Sequence, residues 1–216
     1  MTNDIVVVGS GGHAISVTNV ALSCGYTVIS YVDDCQAGKK ILGTPVITFE
    51  ECYSIYFSHN ICIAIGDNAV REQVFKEYKV KMASAKFPIL VHESCVIGIN
   101  THIDEGTVVM PLANIGPNST LGKCCIVNTS SSIDHDCKID DFASIAPGVI
   151  TGGIVSIGKR TAISIGATIK HDTSIGVDVV IGANSYVDKN IGNCMVAYGS
   201  PCRKVRDREI GEAYLT

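Results

Sequence analysis

The sequence predicts an α/β unit with a parallel sheet over residues 1–87, followed over residues 88–216 by a parallel β-helix with a short C-terminal tail. Three observations carry this. From Val91 to Val187 every sixth residue is Val, Ile or Leu, with Thr151 the single exception. A second register follows four residues behind the first and is mostly small: Cys95, Thr101, Thr107, Ala113, Ser119, Cys125 and onward. Ahead of this array the pattern changes to apolar runs, a glycine-rich turn and helical stretches.

The first of those runs, "DIVVVG", reads as a buried strand and "GSGGHA" as the turn after it. "AISVTNVALSCG" reads as a helix ending at Gly25, and "YTVISYVDD" as the next strand. Further on, "NICIAIGD" is a strand and "NAVREQVFKEY" a helix. Strand, turn, helix, strand is a βαβ unit, which implies a parallel, Rossmann-like sheet. The arrangement Gly9-x-Gly11-x-x-Ala14 lets a backbone approach a diphosphate at a helix N-terminus. Asp33 and Asp34 end the second strand, where a Rossmann acid meets a ribose. NAD is one reading of this pattern. A dinucleotide is normally held across two mononucleotide-binding halves, however, and the chain has room here for one. A nucleotide-diphosphate sugar needs only one such half. A third reading leaves the glycines as a tight turn and nothing more.

A period of six suits neither a 3.6-residue helix nor a long amphipathic strand. It suits short strands joined by turns, with one aliphatic and one small side chain per strand pointing inward. Gly and Asp tolerate the turn backbone, and Gly98, Gly116, Gly122, Gly158, Gly176 and Gly182 directly follow an aliphatic position. Three such faces close one coil, and stacked coils share hydrogen bonds at a spacing of ~4.8 Å.

Composition narrows the function. A net charge of −4 argues against a nucleic-acid binder, which shows a basic face. The ten cysteines include no C-x-x-C pair, which speaks against a zinc ribbon. The N-terminus lacks the basic region and the long apolar run of a signal peptide. No apolar run approaches the roughly 20 residues of a membrane span. Reduced thiols in a cytoplasmic protein are the expectation.

One histidine stands out, in "SSSIDHDCKIDDFASIAPG". His135 lies two residues after the inward Ile133 and two before the inward Cys137, so it points outward near a corner of the coil. It could be a base, a metal ligand or a solvated turn residue. His135 and His171 occupy the same phase two 18-residue coils apart, roughly 9–10 Å by strand spacing. Within one chain they are too far apart to share one zinc, whose ligand nitrogens lie within about 2.1 Å.

The repeat Ile-Gly-x-x-Ser/Thr/Ala-x resembles that of the hexapeptide-repeat acyltransferases. Together with "GSGGHA" and "DHD", it resembles the sugar-nucleotide acetyltransferases of bacterial surface-glycan pathways, among them O-antigen and lipopolysaccharide biosynthesis. These include N-acetyltransferases of nucleotide-linked 4-amino-4,6-dideoxy sugars and a sister branch of sialic acid O-acetyltransferases. The resemblance implies a left-handed β-helix, a homotrimer, acetyl-CoA as cosubstrate and no metal. It implies that His135 is the base and Asp136 its partner, and that Asn128 lines the acceptor pocket. Gly153, Ile165, Gly166 and Ala183 would contact acetyl-CoA in a groove between subunits. Gly9, Ser10, Gly11, Gly12, His13, Asp33 and Asp34 would hold the nucleotide part.

One position departs from that pattern. Many relatives have a second histidine where this chain reads "SIAPG", so Ser144 stands at a place that helps position the acceptor or the acetyl group. Cys125 and Cys137 fall in the inward register and are poor nucleophiles, which leaves direct transfer rather than a covalent intermediate. Imidazole, with a pKa near 6.5, is suited to take the acceptor's proton. A β-helix of purely structural use and a metal-dependent hydratase are the competing readings.

Overall fold

The computed structural model describes residues 3–214. The N-terminal unit opens with β1 (Asp4–Val8), α1 (Gly12–Ser23) and β2 (Thr27–Val32). It continues with β3 (Lys40–Ile41), β4 (Thr44–Ile47), α2 (Phe49–Ile55), β5 (Asn60–Ile63) and α3 (Asn68–Lys81). Its sheet has the order β3-β4-β2-β1-β5 and is parallel except for the β3–β4 hairpin. Strand β1 is buried on both faces, as its unbroken Ile-Val-Val-Val run requires. Ile5 and Val7 pack with Ala14, Val17, Val20 and Ala21 of α1, while Val6 and Val8 pack with Val74, Phe75 and Tyr78 of α3.

Residues 36–59 have no regular apolar periodicity, yet they carry two local signals. Leu42 (φ 49°) and Gly43 (φ 82°) both adopt left-handed backbone, which closes a two-residue hairpin turn. Thr48 and Glu51 form a reciprocal capping box at the start of α2, matching the sequence "TFEE".

From Leu90 a strand of two residues recurs every six residues, β6 (Leu90–Val91) through β22 (Tyr186–Val187). Residues 18 apart pair in parallel, as Asn114 with Ser132 and Ile126 with Ser144, and build three faces. The aliphatic register fills the interior: Ile115, Leu121, Val127, Ile133, Ile139 and Ile145 are all buried. The small register also supplies internal hydrogen bonds. Ser119 Oγ donates to the Asp134 carbonyl at 2.9 Å and accepts from Cys137 N at 3.1 Å, one coil on. Thr107 and Thr161 do the same at their levels. Thr151, the one break in the aliphatic series, is buried with its hydroxyl accepting from Asp134 N at 3.1 Å. Its polar atom is thereby satisfied inside the coil. The helix ends in the antiparallel pair β23 (Met195–Gly199) and β24 (Cys202–Asp207).

The N-terminal unit covers one face of the β-helix. The outward residues Leu90, Val108, Ile126 and Ala162 on that face are buried, whereas His102, Thr120 and Lys138 on another face are exposed. An ionic clamp fixes α3 there. Glu72 receives Lys159 at 2.6 Å and Arg160 at 2.5 Å, and Arg160 pairs with the buried Asp178 at 2.5 Å. Burial alone would raise the Glu72 carboxyl, but hydrogen bonds from Lys159, Lys76 and Arg160 bring it from an ordinary 4.5 to about 2. A carboxyl held low in the folded state contributes stability that is complete above its unfolded pKa and is lost as pH falls through the folded one. That displacement corresponds to roughly 3 kcal/mol. Glu72→Gln should therefore lower the unfolding free energy by about 2–3 kcal/mol at pH 7 and flatten the loss of stability between pH 4.5 and 2. Denaturant titrations across that range check it.

Among the described residues no helix is long and apolar enough to cross a membrane. All ten cysteines are free.

Candidate active site

His135 stands on the turn between β13 (Ser132–Ile133) and β14 (Lys138–Ile139), exposed to solvent. The next residue, Asp136, adopts left-handed backbone (φ 56°), as Asn118 does one coil below and Asp172 two coils above. Asn and Asp accept this conformation more readily than other residues with a Cβ. The turn brings the Asp136 carboxylate 2.7 Å from His135 Nδ1, and Asn118 Nδ2 donates to its other oxygen at 3.2 Å. With Asp136 ionised, Nδ1 carries the proton and Nε2 is left free to accept one. The hydrogen bond to Asp136, then the charge of Asp134, raise the imidazole above its ordinary 6.5, and His135 in turn holds the Asp136 carboxyl low.

Gly153 lies one 18-residue coil beyond His135. A Cβ placed there would come 2.5 Å from Nε2 and Cε1 of the imidazole, so the ring rests on a position that only glycine leaves open. Gly153→Ala should displace the ring and cut turnover by about tenfold or more, in line with the sensitivity of catalysis to small misplacements. The melting temperature should stay unchanged. Steady-state rates beside a thermal melt check this, and wild-type turnover would refute it.

The glycine loop follows β1. Gly9 has φ 113°, and a Cβ on it would lie 2.8 Å from the Ala64 carbonyl of the turn after β5. Around Gly11 and Gly12 there is open space, and α1 begins with no side-chain cap, so its N–H groups face outward. Such an end attracts phosphate. Ser10 donates its hydroxyl to the Asp33 carboxylate, whose other oxygen accepts from Cys35 N at 2.9 Å, so Asp33 braces the loop. Asp34 is turned elsewhere: its carboxylate accepts from Phe49 N at 3.0 Å, at the first residue of α2.

A cavity of about 370 Å³ opens between the N-terminal unit and the face of the β-helix that it covers. His13, Asn128, Ser144 and Ile165 line it together, joined by Gly66 and Tyr214. Burial, and secondarily the charge of Arg71, push the His13 imidazole down to about 4, so it is neutral. Its Nε2 is buried without a hydrogen-bond partner among the described residues. The Ser144 hydroxyl is already engaged, donating to Asn68 Oδ1 at 2.5 Å and receiving Arg71 Nη2 at 3.2 Å.

Two groups of residues are kept apart within one chain. Asn128 and Ser144 belong to the face built from β12 (Ile126–Val127) and β15 (Ser144–Ile145), while His135 follows the next face round the coil. Ile165 and Ala183 are exposed at equivalent turns one coil apart. Gly166, with φ 68°, sits against the Asn184 side chain, where a Cβ would collide. Cys125 and Cys137 are buried, and burial pushes both thiols up, Cys125 to about 12. Asn68, Arg71 and Tyr214 went unread in the sequence. Arg71 looks like any charged residue on an amphipathic helix, and Tyr214 sits in a polar tail.

A family model described as the PglD N-terminal domain matches residues 4–78. The chain is similar over its length to the acetyltransferase domain of PglB from Neisseria gonorrhoeae, solved with acetyl coenzyme A. Identity is 31%, with 95% of this chain and 100% of that one covered and a TM-score of 0.89. PerB from Caulobacter crescentus, in complex with CoA and GDP-perosamine, is 28% identical over 94% of this chain and 97% of that one, with a TM-score of 0.88. WeeI from Acinetobacter baumannii is 26% identical over 93% and 99%, with a TM-score of 0.86. The β-helix is of the left-handed kind that these relatives share. A cavity lined by the histidine that follows the glycine loop, a histidine–aspartate pair on the coil and similarity end to end lead to one conclusion: the chain belongs to the hexapeptide-repeat sugar acetyltransferases.

Proposed function

We propose that the protein transfers the acetyl group of acetyl-CoA to the 4-amino group of a nucleotide-diphosphate-linked 4-amino-4,6-dideoxyhexose, for surface-glycan biosynthesis. The observation that carries this is the His135–Asp136 pair with its free Nε2, in a chain whose cavity is lined by His13, the residue directly after the glycine loop. The similar PerB holds CoA and GDP-perosamine. Residues 1–87 serve as the nucleotide-sugar unit and residues 88–216 as the acetyl-transfer unit. The glycine loop, braced by Asp33, takes the diphosphate, and the sugar extends into the cavity past His13 and Asn128.

Transfer is direct. The amine attacks the thioester carbonyl, His135 Nε2 takes the amine's proton, and Asp136 stabilises the imidazolium that forms. A backbone N–H beside the site, at Gly153, Ile165 or Ala183, stabilises the oxyanion, whereas that of Gly166 is already given to the Pro147 carbonyl at 3.0 Å. The thiolate of CoA then leaves as the carbonyl re-forms and is protonated by the imidazolium. Because His135 and the cavity stand on different edges of one coil, the productive site takes its base from one chain and its cavity from a neighbour, as in a homotrimer. The ten free cysteines suit the cytoplasm, where thiols stay reduced.

Release of free CoA thiol is the test, with UDP-, dTDP- and GDP-linked 4-amino sugars and sialic acid offered in turn. Turnover with a nucleotide amino sugar is expected. Turnover with sialic acid alone would overturn the amine assignment in favour of O-acetylation, and no turnover with any acceptor would overturn the reading.

A further inference from the structure

The last described stretch of the chain returns to the cavity. After β24, Arg208 is buried and donates to the Asp178 carbonyl at 3.3 Å and to the Glu212 carbonyl. Gly211 N donates to Asp178 Oδ1 at 3.4 Å, and a Cβ on Gly211 would touch Ala69 at the start of α3. These contacts anchor a strap that ends in Tyr214, which is half-buried and forms part of the cavity wall. Its hydroxyl donates to the Gly66 carbonyl at 2.9 Å and lies 3.3 Å from Asn68 Oδ1.

That amide oxygen gathers three parts of the chain. It accepts from Ser144 Oγ of the β-helix and, at 2.6 Å, from Arg71 Nη2 of α3, with Tyr214 of the strap approaching it. The Gly66 carbonyl receives Arg71 Nη1 at 2.9 Å as well as Tyr214. The turn it belongs to follows β5 and presses Ala64 against Gly9 of the nucleotide loop. A single ring at the end of the chain is therefore coupled to the cavity wall on one side and to the glycine loop on the other.

We propose that Tyr214 positions the acceptor, its ring walling the cavity and its hydroxyl fixing the Gly66 turn relative to Ser144. Rotation or loss of that ring changes where the sugar sits relative to the nucleotide loop. This rests on the reading that the cavity takes the acceptor. Because Arg208 and Gly211 already tie the strap down, and Arg71 still serves the Gly66 carbonyl, changes at Tyr214 leave the core untouched.

The test uses Tyr214→Phe, Tyr214→Ala and a chain stopped after Ala213. KM is measured separately for acceptor and acetyl-CoA, acceptor Kd by calorimetry, and folding by thermal melt. Tyr214→Ala and the shortened chain should raise acceptor KM and Kd about tenfold, as expected for a loss of about 1.4 kcal/mol. Tyr214→Phe should raise them about threefold. Acetyl-CoA KM and melting temperature should not move. An unchanged acceptor KM and Kd in Tyr214→Ala would overturn the proposal alone, as would an equal rise for both substrates. A parent protein that neither binds nor turns over any nucleotide amino sugar would overturn the functional reading and this proposal together.

Discussion

Replacing His135 with alanine is expected to lower kcat by about 10²–10⁴-fold, the usual contribution of a positioned general base. The fold should survive, because the side chain is exposed and its ring bonds only Asp136. A base works in its neutral form, so the rate of the parent should rise with pH through the His135 pKa, which Asp136 and Asp134 hold above 6.5. Asp136→Asn removes the principal cause of that elevation. Its rate profile should shift to lower pH while kcat falls, since the imidazolium loses its stabilising carboxylate. A His135→Ala variant within tenfold of the parent would assign the base to another residue.

Arg71→Met should destabilise the protein by about 3–5 kcal/mol. The guanidinium is buried, and burial lowers its pKa, yet among the described residues no carboxylate lies within ion-pair distance of it. Backbone carbonyls hold the charge instead: Ile65 at 2.8 Å and Gly66 at 2.9 Å from the N-terminal unit, Cys124 at 2.8 Å and Phe142 at 2.9 Å from the β-helix. Methionine fills comparable volume, so what is lost is chiefly hydrogen bonding, with buried acceptors left unpaired. For a chain of this length each kcal/mol moves the melting temperature by roughly 2–4 °C, so a fall of about 10 °C is expected. A shift below about 3 °C would show that the two units are held together mainly by their apolar contacts.

The β-helix was legible because its signal repeats. Each hexad places one aliphatic and one small residue inward, and a coil that departed from the pattern would expose apolar surface or bury an unpaired polar group. Thr151 breaks the pattern, and only the structure shows why this is tolerated, through its bond to Asp134 N. The βαβ unit was legible from Gly9, the run Ile5 to Val8 and the Asp33 brace position. The β3–β4 hairpin and α2 were missed although "LG" and "TFEE" announce them, because neither stretch has strong periodicity.

Among the candidate site residues, His135 and Asp136 could be paired from their places on a turn, since adjacent residues and a left-handed φ decide that geometry locally. Asp33 and Asp34 look equivalent in the sequence, yet one binds Ser10 and the other caps α2. Arg71 in "NAVREQVFKEY" and Tyr214 in the tail carry no local mark of their roles. Spacing along the chain dictates repeating backbone hydrogen bonds and the alternation of inward and outward side chains, because both are set by near neighbours. The burial of Arg71, the use of the Ser144 hydroxyl and the return of Tyr214 to Gly66 arise where segments up to 148 residues apart pack together. There the same side chain is a solvated surface group or a buried hydrogen-bond hub according to what docks against it.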